Sequence, residues 1–194
     1  MRKFDLKLLL SNIQRFRITY LLLVPPVVVT LLKTPLLAQY DISSVKFLLC
    51  GAAPLGPDAS AQVEKLFSTN QARTRQGWGM TEATMAVTMF APDEFDPTHR
   101  SVGYLVPNVQ MKIVDEDGRE VGYNEEGEAL IRGPNVFQGY YKNAAATQDA
   151  WTADGWLKTG DMVTIQPSGL VCIVDRKKVR SLAITPESTA TADR

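Results

Sequence analysis

Ser43-Ser44-Val45-Lys46-Phe47-Leu48-Leu49-Cys50-Gly51-Ala52-Ala53-Pro54 is the stretch on which the fold turns. Val45 to Cys50 reads as a short buried strand that runs out into a turn of small residues at Gly51. A strand apolar on both faces belongs in a parallel sheet covered by helices. Upstream, Ile18 to Val24 is a second apolar run of strand length, ended by Pro25-Pro26. The following VVVTLLKTPLL restarts as a helix, because proline is tolerated in a first turn. Before it, Phe4, Leu6, Leu8, Leu9, Ile13 and Phe16 recur at spacings of one helix face. Downstream, Ala59 to Phe67 is predicted helical, with Val63, Leu66 and Phe67 on one side. The first hundred residues thus alternate helix and strand.

Beyond Gly103 the pattern changes. Val109 to Val114, Gly127 to Ile131 and Leu170 to Val174 are short strand-like runs, separated by turn chemistry at Asp117-Gly118, Asn124, Gly133-Pro134 and Ser168-Gly169. The expected architecture is α/β: a parallel-sheet unit over residues 1–103, a small β-rich, barrel-like unit over 104–174, and a hinge with a frayed tail over 175–194. No internal repeat is visible.

Composition narrows the chemistry. Of 194 residues 45% are hydrophobic, enough for a substantial core, so disorder is not expected. Lys plus Arg number 21, and Asp plus Glu number 21, which removes any global pull toward nucleic acid or anionic membrane. The basic cluster Arg176-Lys177-Lys178-Val179-Arg180 reads as a hinge or solvated segment, not a nucleic-acid site. Cys50, Cys172 and the single His99 supply neither a disulfide framework nor a His-rich metal centre. The longest apolar run, Ile18 to Leu32, is interrupted by prolines and too short to span a bilayer. Asp5 and Lys7 interrupt what a signal peptide would keep apolar, and a reducing cytoplasmic setting is expected. Oligomeric state is not legible.

Three segments carry chemical content. Gly51-Ala52-Ala53-Pro54 ends a strand, and ligands bind at the carboxyl ends of parallel strands in open α/β sheets. In Gln76-Gly77-Trp78-Gly79-Met80-Thr81-Glu82, two glycines let the backbone approach a ligand, and the indole offers a stacking face worth about 1–3 kcal/mol to a base. Thr81 supplies a hydroxyl for a phosphate oxygen, and Glu82 a hard oxygen suited to Mg2+. In Thr159-Gly160-Asp161, the carboxylate would accept from vicinal ribose hydroxyls while Arg176 donates to the same sugar. Each segment alone also fits a plain turn with solvated charges. The G-x-x-x-x-G-K-S/T phosphate loop, the G-x-S-x-G elbow and C-x-x-C are all absent from the sequence.

Taken in order, GAAPLG, QGWGMTE, GEALIRGPNVFQGYY, DGWLKTGD and IVDRKK closely resemble the adenylate-forming (AMP-binding) superfamily, within it the acyl- and aryl-CoA ligases of the 4-coumarate:CoA ligase type. The resemblance covers about Met1 to Lys178. It implies a carboxylic acid joined to AMP from ATP with release of pyrophosphate, then acyl transfer to coenzyme A. It further implies that Gly51, Ala52, Ala53 and Pro54 border adenine, with Gln76 and Gly77 in the same nucleotide site and Trp78 stacked on the base. Thr81 would contact the α-phosphate, Glu82 would bind Mg2+, and Asp161 with Arg176 would hold the ribose. Lys178 matches the hinge position, and Met85 and Ala86 fall where the acyl pocket is lined.

Two departures from the family matter. Its Lys-ending phosphate loop would lie upstream of Met1, and after the hinge this sequence reads VRSLAITPES where the family continues into a small domain with a catalytic lysine. The expectation is a partial ligase with negligible turnover by itself. An apolar strand edge around Ile18 to Val24 would also be left uncovered. The alternatives are a non-catalytic nucleotide-binding or interaction module, and a fragment of an amino-acid adenylation domain.

Overall fold

The computed structural model describes residues 3–67 and 72–176, so Lys178 and the tail from 177 onward lie outside the described residues. The first helix, α1 (Leu6–Phe16), starts where the Asp5 carboxylate accepts the Leu8 N–H at 2.8 Å and stops at Arg17, whose φ is 51°. Its buried stripe is Leu10 and Ile13, flanked by Leu6 and Leu9. Phe4, Leu8 and Phe16, expected on that stripe, are exposed instead. Positions 6, 9, 10 and 13 keep the helical spacing, whereas the expected set mixed two faces.

Strand β1 (Tyr20–Leu23) is followed at once by α2 (Pro25–Lys33), which carries its two prolines in the first turn. Then come β2 (Phe47–Cys50), α3 (Pro57–Leu66) and β3 (Arg73–Gln76). The three strands are parallel in the order β1-β2-β3, with Tyr20, Phe47 and Arg73 in register. Leu21, Leu23, Leu48 and Cys50 form one core with Leu10, Ile13, Val28, Leu31 and Val63 of the helices. On the opposite face Tyr20 stacks on Phe47 at 3.9 Å, and the Arg75 guanidinium lies 4.2 Å from the Phe47 ring centre. Arg75 donates to the carbonyl oxygens of Arg73, Pro92 and Glu94, so its charge anchors the following loop. Leu22, on edge strand β1, is 72% exposed.

A short pair, β4 (Thr88–Met89) with β5 (Tyr104–Leu105), leads into the second sheet. This holds β6 (Gln110–Val114), β7 (Gly127–Arg132), β8 (Leu157–Ile165) and β9 (Val171–Arg176), with α4 (Ala144–Ala150) between β7 and β8. It is antiparallel throughout in the order β6-β7-β8-β9. The expected barrel does not close, since among the described residues β6 and β9 do not pair and remain the two edges. The core of this sheet takes in Trp78, Ala83, Val87 and Val102 together with Ile113, Ile131, Leu157 and Val163. Packing therefore draws residues from before position 103 into the second unit. No helix among the described residues is long and apolar enough to cross a membrane.

The loop between β4 and β5 is held by one carboxylate. Asp96, 7% exposed, accepts the Thr98 N–H and hydroxyl and the Arg100 and Ser101 N–H groups at 2.7–3.0 Å. Burial alone would raise its pKa, but the donors from Thr98 and Ser101 outweigh it and bring it down to about 2. A carboxyl depressed in the folded state stabilises above its unfolded pKa of about 3.9 and loses that contribution as pH falls toward about 2. Asp96→Asn should therefore cost about 2 kcal/mol in urea unfolding at pH 6, and the gap to wild type should narrow between pH 4 and pH 2. A gap constant across that range would show that the charge contributes nothing.

Candidate functional site

The carboxyl ends of β2 and β3 open on a cleft of about 950 Å³ whose far wall is built from β8 and β9. Its near wall runs from Ala52 to Pro57 and from Gln76 to Gly79; Asp161 and Cys172 to Asp175 face them, with His99, Arg100 and Val102 alongside. Ala52 sits at φ 70°, a left-handed conformation that costs an L residue roughly 1–2 kcal/mol and turns the chain sharply at the strand end.

Gln76 fastens this turn. Its Oε1 accepts the Leu55 N–H at 2.9 Å, and its Nε2 donates to the carbonyl oxygens of Leu55 and His99 at 3.1 and 2.9 Å. A buried carboxamide used in this way fixes the loops on both sides of β3.

Trp78 follows one residue beyond Gly77. Its Nε1 donates to Asp161 Oδ2 at 2.8 Å across 83 residues of sequence, and the two residues are 8% and 5% exposed. Asp161 sits on β8, where its own N–H donates to Thr159 Oγ1 at 3.1 Å and the Gly160 N–H donates to Glu128 Oε1 at 3.1 Å. Thr159 in turn donates to the Ala129 carbonyl oxygen at 2.8 Å. The indole and the carboxylate named from sequence therefore meet in one cleft.

Thr81 and Glu82 lie just past Gly79, in a short 3-10 turn over Thr81–Ala83. Thr81 is exposed, and half-buried Glu82 accepts the Tyr140 hydroxyl at Oε1 from 2.8 Å. Met85 is 76% exposed with φ 87°. Gly51, Thr81, Glu82, Met85 and Ala86 do not themselves line the cleft. The Arg176 backbone stands opposite Asp161 across the β8–β9 ladder, while Lys178 lies outside the described residues. Gly79 allows the tight return, since a Cβ there would overlap the Met85 carbonyl. Gly79→Ala should therefore destabilise the chain by about 2 kcal/mol or more, read as a lowered urea midpoint, whereas equal stability would refute that packing.

Several lining residues carry no sequence signal of a site. His99 and Arg100 are brought in by the Asp96-fastened loop, and Cys172 by the pairing of β9 with β8. Among the described residues, no group of three or more His, Cys, Asp or Glu could hold a metal ion on its own. Burial pushes the Cys50 thiol up to about 11 and also raises Cys172. Cys50 is in the core and Cys172 is in the cleft wall, so a thiol reagent at pH 8 should label Cys172 slowly and Cys50 only on unfolding. Two fast-reacting thiols in the native protein would contradict this placement.

Solved structures superimpose on most of this chain. A long-chain-fatty-acid-CoA ligase from Archaeoglobus fulgidus superimposes with a TM-score of 0.82 at 32% identity, over 93% of this chain and 38% of that one. ATP-bound MatB from Rhodopseudomonas palustris gives 0.81 at 30% identity, over 92% and 34%. Residues 1–141 match the AMP-binding enzyme family, and the chain belongs to it. An acyl-CoA synthetase of Alternaria alternata is 38% identical over 192 residues, and 4-coumarate–CoA ligase 1 of Arabidopsis thaliana is 41% identical over 182. The chain spans about a third of the length of each, 33% and 32%.

Proposed function

We propose that this chain carries the nucleotide-holding part of an acyl- or aryl-CoA ligase, an enzyme that joins a carboxylic acid to AMP from ATP and passes the acyl group to coenzyme A. The observation that carries the reading is the buried hydrogen bond from Trp78 to Asp161 inside the cleft. It fixes an aromatic face and a carboxylate in one orientation, the pair needed for a base and its ribose. Coenzyme A as acceptor rests on the names of the relatives, and the acid is a small-molecule carboxylate. Two cysteines that are not joined to each other suit a reducing compartment, and we assign the chain to the cytoplasm.

In this reading Ala52, Ala53 and Pro54 border adenine, with Gly51 and Gln76 shaping that wall and Gly77 leaving room for the backbone to approach. Trp78 stacks on the base, and Asp161 accepts from the ribose hydroxyls with Arg176 as donor. Thr81 donates to an α-phosphate oxygen. Met85 and Ala86 line the acyl side, and Lys178 serves as the hinge.

Attack of a carboxylate on the α-phosphorus brings anions together, so catalysis is mainly positioning and charge neutralisation. Glu82 suits Mg2+, which commonly uses one or two carboxylates together with substrate phosphates instead of a full protein cage. When bound, the ion would neutralise phosphate charge. Among the described residues that line the cleft, Arg100 is the one permanent cation. That is little charge for a triphosphate approached by a carboxylate, and the 194-residue chain is expected to bind nucleotide without turning it over.

Addition of AMP to the folded chain should change its tryptophan fluorescence, and Trp78→Phe should abolish most of the change. Asp161→Asn should weaken AMP by about tenfold and erase the preference for AMP over 2′-deoxy-AMP. No fluorescence change at millimolar AMP would overturn the site. Pyrophosphate release with any of a panel of aryl and fatty acids would overturn the claim of negligible turnover.

A further inference from the structure

The chain from Asn135 to Tyr140, between β7 and α4, is fastened to the Thr81–Ala86 loop by both backbone and side chains. The Phe137 N–H donates to the Glu82 carbonyl oxygen at 2.7 Å. The Asn135 carboxamide donates to the carbonyl oxygens of Ala83 and Ala86 at 3.0 and 2.9 Å. In return, the Thr84 hydroxyl donates to the Asn135 carbonyl oxygen at 2.7 Å. At the end of the segment, the Tyr140 hydroxyl donates to Glu82 Oε1 at 2.8 Å.

The Thr81–Ala86 loop needs such ties. Thr84 and Met85 stand at φ 49° and 87°, left-handed conformations that persist only where the surroundings impose them. Asn135 holds carbonyl groups on both sides of that pair. Tyr140 is itself preset: its N–H donates to Thr147 Oγ1 at 2.9 Å, and its ring meets Phe137 edge-on at 4.9 Å. Gly139, at φ 151°, leaves the space in which a Cβ would collide with the Thr147 side chain. The hydroxyl is therefore aimed by its own surroundings.

We propose that Tyr140 is a positioning residue for Glu82: its hydroxyl pins Oε1 and so presents the carboxylate in one orientation to a divalent cation on the nucleotide phosphates. This rests on the reading of Glu82 as the Mg2+ carboxylate. A free glutamate side chain would have to lose its rotamer freedom when the cation arrives, whereas a pinned one has already lost it.

The test is ATP binding to the full chain with and without Mg2+, followed by tryptophan fluorescence, for wild type, Glu82→Gln, Tyr140→Phe and the double variant. Tyr140→Phe keeps the ring on Phe137, and a thermal melt checks the fold. If it melts early, Thr147→Val loosens Tyr140 without touching Glu82 and takes its place. The expected result is that Tyr140→Phe raises the Mg2+ concentration needed for half-maximal enhancement by about threefold to tenfold. ATP binding without Mg2+ should be unchanged, and the effect should vanish in the Glu82→Gln background. An equal loss with and without Mg2+, or an effect that persists beside Glu82→Gln, would overturn the positioning role while leaving the nucleotide site standing. Wild-type ATP binding that ignores Mg2+, or no ATP binding at all, would overturn the reading of Glu82 and this inference with it.

Discussion

The hydrogen bond from the Trp78 indole to the Asp161 carboxylate joins the two sheets at the point where a ligand would sit. A carboxylate that is 5% exposed must be compensated, because its desolvation costs several kcal/mol unless donors are aimed at it. The indole N–H is one such donor, and its ring also belongs to the core under β6 to β9. Trp78 thus serves packing and polarity together. The cleft exists because the chain leaving β3 is bound to a strand that follows it by 83 residues.

Around this contact, loops are held rigid by single polar side chains that satisfy several backbone groups at once. Gln76 does this for the turn at Leu55 and for His99, Asp96 for the loop up to Ser101, and Asn135 for the Thr81–Ala86 loop. Regular strands supply the frame, but the functional segments are irregular and would otherwise leave buried N–H and C=O groups unpaired. Each clamp removes that cost. The result is a set of loops pre-ordered before any ligand arrives, which lowers the entropy lost on binding.

Hydrophobic rhythm alone made much of the fold readable. Val45 to Cys50 and Ile18 to Val24 are apolar enough to be strands, and Pro25-Pro26 mark a helix start, whereas α3 begins at Pro57, two residues before the Ala59 expected from apolar spacing. Strand β3, Arg73–Gln76, carries no apolar residue and escaped this reading. Its inward Thr74 and Gln76 are buried through hydrogen bonds, and Arg75 lies against Phe47. Likewise β8 shows no strand rhythm in the sequence, because Lys158, Thr159, Gly160 and Asp161 interrupt its apolar pattern. Tertiary partners hold both strands: β8 lies between β7 and β9, and β3 pairs with β2 on one side while the hydrogen bonds of its own side chains secure the rest.

The amino-acid order by itself determined the parallel α/β beginning and the β-rich continuation, because hydrophobic periodicity is a local property, and its motifs carried the resemblance to the AMP-binding family. It also singled out Trp78 and Asp161 as chemical groups. Only the tertiary structure decided that these two bond to each other, that the second sheet stays open among the described residues, and that Asn135 and Tyr140 brace the loop bearing Glu82. Such pairings depend on geometry between segments dozens of residues apart, and no local pattern encodes which distant donor will meet which acceptor.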